Sequence, residues 1–382
     1  MRSVMVTKFV PLPANSGGKL RSLAVLRRLA SLGDVTLCCF EDSTGNVDAL
    51  REMGVDVRTV PWRPTFANTV RGIARTRSGS AGRFWDRRLA DEVRRALAER
   101  PPDLLQVEYS QLARYLELGD ARTRVLDFHN IESQLAMSFA RSARTPKARL
   151  ARLESVLLRR LERRGAERAD LVTVVSEQDR DRMPGKPRRM LVCPNGWDPE
   201  GPLAPSPEPV AVFVALMGWK PNVDAAVWLA QHVWPHVRAQ MPEARLVLVG
   251  REPAPEVRAL AAPDVEVTGT VPDVRPYLAR ARVALAPLLS GGGTRLKVLE
   301  ALDAGRPLVS TSVGIDGLTD LVGHGALVAD DPQRFAERIV ELLQDPGRAK
   351  ELGVQGSAAV GERYAWDKVL QPWLDVVTQG DS

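Results

Sequence analysis

From residue 290 to residue 311 the sequence reads Ser-Gly-Gly-Gly-Thr-Arg-Leu-Lys-Val-Leu-Glu-Ala-Leu-Asp-Ala-Gly-Arg-Pro-Leu-Val-Ser-Thr. Gly291, Gly292 and Gly293 let a backbone come close to a ligand. An amphipathic helix is expected directly behind them, from about Thr294 to Ala304, stopped by Gly305-Arg306-Pro307. The first N–H groups of a helix lack intrahelical acceptors and its dipole is positive at that end, so this spot suits an anion such as a diphosphate. Arg295 and Lys297 add two cations in the expected first turn. Glu300, one turn beyond Lys297, could accept hydrogen bonds from sugar or ribose hydroxyls. Glycine turns before helices also serve as plain caps, and Lys297 with Glu300 could be a surface ion pair.

The elements around this segment must hold it in place. Val283-Ala284-Leu285-Ala286-Pro287 reads as a buried strand before the glycines and Leu308-Val309-Ser310-Thr311 as one after the helix, together a βαβ unit. The same alternation runs through the whole chain. Strands are expected at 4–7, 35–40, 55–60, 104–107, 124–128, 171–175 and 189–193, and again at 210–216, 245–250 and 265–268. Helical spacing is seen at 19–32, 47–53, 148–168, 223–240, 256–262 and 274–280, with Leu150, Leu153, Leu157, Leu158 and Leu161 taken as one stripe. Pro199, Pro202, Pro205, Pro207 and Pro209 break the pattern and read as a stiff connector. The fold class is therefore α/β, as two Rossmann-like doubly wound domains facing a central cleft. The boundaries are a first domain at 1–198, a Pro-rich linker at 199–209, a second domain at 210–362, and an aromatic-bearing helix at 363–382.

The 382 residues suit two domains, with 44% hydrophobic and 26% charged residues, as in ordinary globular proteins. No run approaches a transmembrane length of apolar residues, and the start of the chain reads as a core strand rather than a signal peptide. Cys38, Cys39 and Cys193 show no metal spacing and are expected as buried free thiols in a reduced, cytoplasmic setting. Charge is uneven. Residues 1–200 carry 36 Lys and Arg against 25 Asp and Glu, a net of +11, while 201–382 carry 17 against 22, a net of −5. The first half thus suits an anionic partner, although a GC-rich genome would produce the same arginine excess. The tract from Arg63 to Arg100, with Phe66, Phe84 and Trp85, leaves open an anionic acceptor or attachment at the inner face of a membrane. No nucleic-acid motif accompanies the charge, so no nucleic-acid partner is expected.

Other residue patterns carry weaker signals. His129 follows a β-type run, at a strand end where catalytic groups often sit. His232 and His236 have metal-capable spacing but no acidic third ligand nearby. Asp179-Arg180-Asp181 has the form of a metal-binding pair, yet it follows Ser176 at a helix start, where a capping role explains it better.

Taken together, the 290–311 segment resembles the donor-binding segment of glycosyltransferase family 4. Gly218-Trp219-Lys220-Pro221-Asn222-Val223-Asp224-Ala225, Thr268-Gly269-Thr270-Val271-Pro272-Asp273 and Val313-Gly314-Ile315-Asp316-Gly317-Leu318 resemble further motifs of its second domain. Pro11 to Gly18, Asp127-Phe128-His129-Asn130-Ile131-Glu132 and Cys193-Pro194-Asn195-Gly196-Trp197-Asp198 are similar to motifs of its first. The resemblance implies a GT-B fold and a retaining, metal-independent transfer of a sugar from a nucleotide-sugar cosubstrate, with a UDP-sugar favoured and no cofactor. The acceptor hydroxyl is left open, in glycoconjugate, polysaccharide or secondary-metabolite synthesis. It further implies that Gly17 and Gly18 approach the donor phosphates and that His129 contacts the donor sugar. Lys297 would neutralise the leaving diphosphate, Glu300 would hold the ribose, and Arg295, Thr294 and Gly291 to Gly293 would complete the cradle. Lys220 and Val271 are carried over as donor contacts. The chain departs from the family pattern at Gly292, eight before Glu300, where many members have a second glutamate. A sugar-nucleotide epimerase or a donor-binding protein without transfer are the competing readings, and a basic anion- or nucleic-acid-binding protein the remote one.

Overall fold

Short runs rich in Val, Leu and Ala, bounded by charged or turn residues, form thirteen strands among the described residues, all paired in parallel. They are seen in a computed structural model that describes residues 1–63, 65–142, 145–290 and 295–379. The chain divides into two compact units, Met1–Asn195 with the segment from Leu370 onward, and Gly196–Val369.

In the first unit the strands are β1 (Arg2–Phe9), β2 (Asp34–Glu41), β3 (Asp56–Pro61), β4 (Leu104–Glu108), β5 (Thr123–Phe128), β6 (Leu171–Val174) and β7 (Met190–Val192), in the order β3-β2-β1-β4-β5-β6-β7. Val6 of β1 lies beside Cys38 of β2 and Val107 of β4. In the second unit β8 (Val210–Val214), β9 (Arg245–Val249), β10 (Val265–Gly269), β11 (Val283–Ala286), β12 (Leu308–Ser310) and β13 (Ala326–Val328) run in the order β10-β9-β8-β11-β12-β13. Both units are Rossmann-like. Each sheet starts at its middle, winds outward to one edge, then returns to extend the other, so its order reverses beside the first strand. Helices cover both faces, which is why the central strands are buried without polar alternation. Open α/β sheets bind ligands at the carboxyl ends of their strands near that reversal. No helix among the described residues is long and apolar enough to cross a membrane.

Several elements differ from expectation. β13 was not among the expected strands, although Ala326-Leu327-Val328-Ala329 is an apolar run. The helix expected at 223–240 begins at Lys220 and takes a π turn at Leu229–Val233, just before Pro235, which has no N–H to continue the regular ladder. In the helix Pro146–Arg168 the leucines do not form one core stripe. Leu158 and Leu161 are buried, whereas Leu150 and Leu153 are exposed, because the buried face runs through Ala148, Ser155, Leu158, Glu162 and Gly165, with Leu161 at its margin and Leu150 and Leu153 outside it. The proline-rich segment falls within the second unit. There Asp303 accepts from the N–H groups of Glu200 (3.0 Å) and Gly201 (3.2 Å) and from Trp197 Nε1 (3.1 Å). Arg282 and Arg306 donate to the carbonyls of Pro207 and Ala204. A segment poor in N–H groups still offers carbonyls, and buried guanidinium groups satisfy them. All three cysteines are buried and free. Ser176 caps its short helix as expected, its hydroxyl accepting from Asp179 N at 3.1 Å.

Candidate functional site

In the second unit, the helix after β11 spans Leu296–Asp303, with Arg295 as its non-helical N-cap (φ −89°, ψ 85°). The helix therefore opens later than the sequence reading placed it, and Arg295 precedes the first turn instead of lying within it. Gly291, Gly292, Gly293 and Thr294 lie outside the described residues. Val298, Leu299, Ala301 and Leu302 bury the apolar face of this helix, which turns Lys297 and Glu300 to the other side.

Lys297 is held in place by two groups. Its Nζ donates to Asn222 Oδ1 at 2.9 Å and sits 5.0 Å from the centre of the Phe213 ring, at the end of β8. Asn222 is only 3% exposed, and its Nδ2 donates to Leu216 O at 2.9 Å, so the amide can present only oxygen to the lysine. Burial, with the positive charge of Arg295 adding to it, lowers the Lys297 amine from 10.5 to about 7. Burial also lowers Arg295, against the attraction of Asp316. An anion arriving here would relieve both penalties. Glu300 shows the reverse case. Burial, then the negative charges of Asp273 and Glu200, push its carboxyl up to about 7, with Arg275 opposing. The loop after β10 that carries Val271 supplies Asp273. The side chain of Lys220 is exposed and paired with Asp224.

In the first unit the carboxyl ends of β1, β4 and β5 bring a second group together. His129, directly after β5, is 7% exposed, and its Nε2 lies 2.7 Å from Glu108 Oε2, at the end of β4. Glu108 is fully buried and also accepts from Gln106 Nε2 at 2.8 Å. A carboxylate partner places the imidazole proton on Nε2 and leaves Nδ1 as an acceptor, which has no partner among the described residues. Behind this pair, Arg21 grips Asp127 with Nε at 2.6 Å and Nη2 at 2.9 Å, and Thr173 Oγ1 donates to the same carboxylate at 2.6 Å. Burial works against the Asp127 carboxylate, but Arg21 and the Thr173 hydroxyl hold it below the usual range. Arg21 Nη1 also donates to Cys193 O (2.9 Å) and Pro194 O (3.2 Å), tying the strand end to the end of the unit's main segment.

Gly17 and Gly18 open the helix Gly17–Leu32, capped by Ser16. A Cβ on Gly18 would stand 2.4 Å from the Tyr109 hydroxyl, so this glycine admits Tyr109, whose ring stacks on His129 at 3.8 Å between centroids. The structure thus joins Gly18 to His129, and Lys297 to Arg295, within their units. Asn222, Glu108, Arg21 and Tyr109 were not singled out from sequence. Asn222 stood in a quoted motif without a role, and nothing in local spacing marks a partner 75 residues away. Glu108, Asp127 and His129 place one ligand atom each within 4.8 Å of one another. Asp127 is already committed to Arg21 and Thr173, and Glu108 to His129, so they form a hydrogen-bonded network more readily than a cation site.

Two family models match the chain: glycosyl transferases group 1 over residues 208–345, and the glycosyl transferase 4-like domain over residues 16–196. The chain is similar to alpha-maltose-1-phosphate synthase of Mycolicibacterium smegmatis, 26% identical over 257 residues, covering 56% of this chain and 65% of that protein. It is also similar to the GDP-mannose-dependent alpha-(1-6)-phosphatidylinositol monomannoside mannosyltransferase of Mycobacterium tuberculosis, 31% identical over 166 residues, covering 39% of this chain and 43% of that one. The matched regions span less than two thirds of either relative's length. Among solved structures, sucrose-phosphate synthase from Thermosynechococcus elongatus superposes with a TM-score of 0.73 at 16% identity, covering 99% of this chain and 98% of that one. Anabaena Alr3699/HepE, solved in complex with UDP, gives 0.68 at 16% identity with full coverage of both. At these identities the structural likeness is one of fold.

Proposed function

We propose that this chain, which belongs to the GT-B glycosyltransferases, moves a sugar from a nucleoside-diphosphate donor to a hydroxyl acceptor with retention of anomeric configuration and without a metal. A UDP-sugar is the favoured donor, in keeping with the UDP held by the Anabaena neighbour. The observation that carries the reading is the amine of Lys297. It is buried, aimed by Asn222, and adjacent to Arg295 at the opening of a helix. Such a site favours an anion more strongly than an exposed lysine does, because the charge is desolvated before the ligand arrives.

On this reading the diphosphate lies against Lys297 and Arg295, and Glu300 accepts from the ribose hydroxyls. His129, its proton fixed on Nε2 by Glu108, offers Nδ1 to a hydroxyl of the donor sugar. The bond between C1 and the diphosphate oxygen breaks as the acceptor oxygen bonds C1 on the same face. The hydroxyl proton passes to the departing phosphate oxygen, so no separate base is required. Lys297 and Arg295 stabilise the charge on that leaving group, a contribution of about 2.7–4 kcal/mol for one well-placed donor in comparable sites.

Thermal melting with a panel of UDP-, dTDP- and GDP-sugars tests the proposal, since a ligand that binds only the native state raises apparent stability. A UDP-sugar should raise the melting temperature in metal-free buffer, and NMR of the slow hydrolysis product should show the donor's anomer retained. Stabilisation by none of these nucleotide sugars would overturn the donor assignment.

A further inference from the structure

The order of the first sheet reverses between β1 and β4, where ligands of open α/β sheets bind. Lys8, near the end of β1, and Tyr109, directly after β4, stand on the two sides of this crevice. Lys8 Nζ lies 4.1 Å from the centre of the Tyr109 ring and 4.9 Å from that of Phe84. Phe84 stacks on Trp62 at 6.2 Å and 9°, and Phe9 meets the edges of both. Tyr109 also stacks on His129 and carries a backbone φ of 71°, which an aromatic residue adopts rarely and which concentrates at functional sites.

Among the described residues Lys8 makes no hydrogen bond or ion pair. Burial lowers its pKa, and Glu132, too far for an ion pair, acts against that. Cation–π contact with two rings offsets part of the cost of desolvating an ammonium group, and an anion would offset far more. The neighbouring His129 Nδ1 is likewise without a partner.

We propose that Lys8 binds an anionic substituent, phosphoryl or carboxylate, on the acceptor, whose ring lies along the wall formed by Tyr109, Phe84 and Trp62. The inference rests on the reading of His129 as the residue beside the reacting carbon, since the two share Tyr109 between them. It narrows the acceptor to sugars or related alcohols that carry a negative charge near the attacked hydroxyl.

Saturation-transfer NMR with D-glucose 6-phosphate, D-glucuronate and methyl α-D-glucoside tests this on the full chain, with and without saturating UDP. At least one anionic sugar should bind ten-fold or more tightly than the neutral glucoside, and comparison of the two anions tells phosphate from carboxylate. Lys8→Met should abolish the preference and Lys8→Arg should retain part of it, with the melting temperature and UDP affinity of Lys8→Met unchanged. Equal binding of anionic and neutral sugars by the wild type, or an undiminished preference in Lys8→Met, would overturn the proposal. Failure of UDP to bind the wild type would count against the donor site alone, because the preference is also read without UDP.

Discussion

The amine of Lys297 donates to the amide oxygen of Asn222 at 2.9 Å, across 75 residues of sequence. Asn222 stands in the first turn of the helix after β8, and Lys297 in the first turn of the helix after β11. Those strands flank the reversal of the second sheet. One buried amide therefore aims the lysine at the carboxyl edge of the sheet, where a diphosphate would sit.

Replacing Lys297 by Ala should lower kcat at least a hundredfold, which corresponds to about 2.7 kcal/mol of transition-state stabilisation. The fold should survive, because the amine is held at a cost. Turnover within a few-fold of wild type, measured by release of the nucleoside diphosphate, would remove the leaving-group role.

Asn222→Leu tests the aim separately from the charge. The lysine stays, but it loses the acceptor that orients it. Donor affinity should fall about ten-fold, comparable with one hydrogen bond to a charged group, and calorimetry with a nucleotide sugar measures it. Unchanged affinity would mean that Lys297 finds its position unaided.

The affinity for a nucleotide sugar should peak near pH 7. Lys297 titrates at about 7 in the free protein and, on the proposed reading, binds the diphosphate as the cation, so above pH 7 binding must take up a proton and weakens as pH rises. Glu300 also titrates at about 7 and, on the same reading, accepts ribose hydroxyls as the carboxylate, so below pH 7 binding must release a proton and weakens as pH falls. Lys297→Ala should flatten the alkaline limb and Glu300→Gln the acidic one. Calorimetric Kd values from pH 5.5 to 9 that show neither limb would contradict both assignments.

Glu108→Gln keeps the size of the side chain but removes the charge that holds the proton on His129 Nε2. The tautomer with the proton on Nε2 should lose its preference, and kcat should fall about ten-fold or more while the KM for the donor changes little. Long-range ¹H–¹⁵N NMR spectra, which tell the two imidazole tautomers apart, provide a readout that simple loss of packing would not move. An unchanged His129 tautomer would show that Glu108 does not govern that ring.

Much of the architecture follows from local pattern. Twelve of the thirteen strands were expected, because a sheet buried on both faces requires continuous apolar runs such as Val283-Ala284-Leu285-Ala286. The capping role of Ser176 rests on residues three apart, Ser176 and Asp179, and was equally legible. Lys297 and Glu300 could be proposed because one helical turn relates them. The residues that orient the sites could not. Asn222 reaches Lys297, Arg21 reaches Asp127 over 106 residues, and Glu108 reaches His129 only because β4 and β5 are neighbours in the sheet. Such pairs are products of strand order, which periodicity does not encode. The leucines of the helix Pro146–Arg168 illustrate the opposite error, since apolar spacing suggested one buried stripe where Leu150 and Leu153 face outward.

A crystal structure with a bound UDP-sugar tests the central claim most directly. The account predicts the β-phosphate within hydrogen-bonding distance of Lys297 Nζ and the ribose hydroxyls against Glu300. A diphosphate bound away from Lys297, with the Asn222 contact undisturbed, would contradict it.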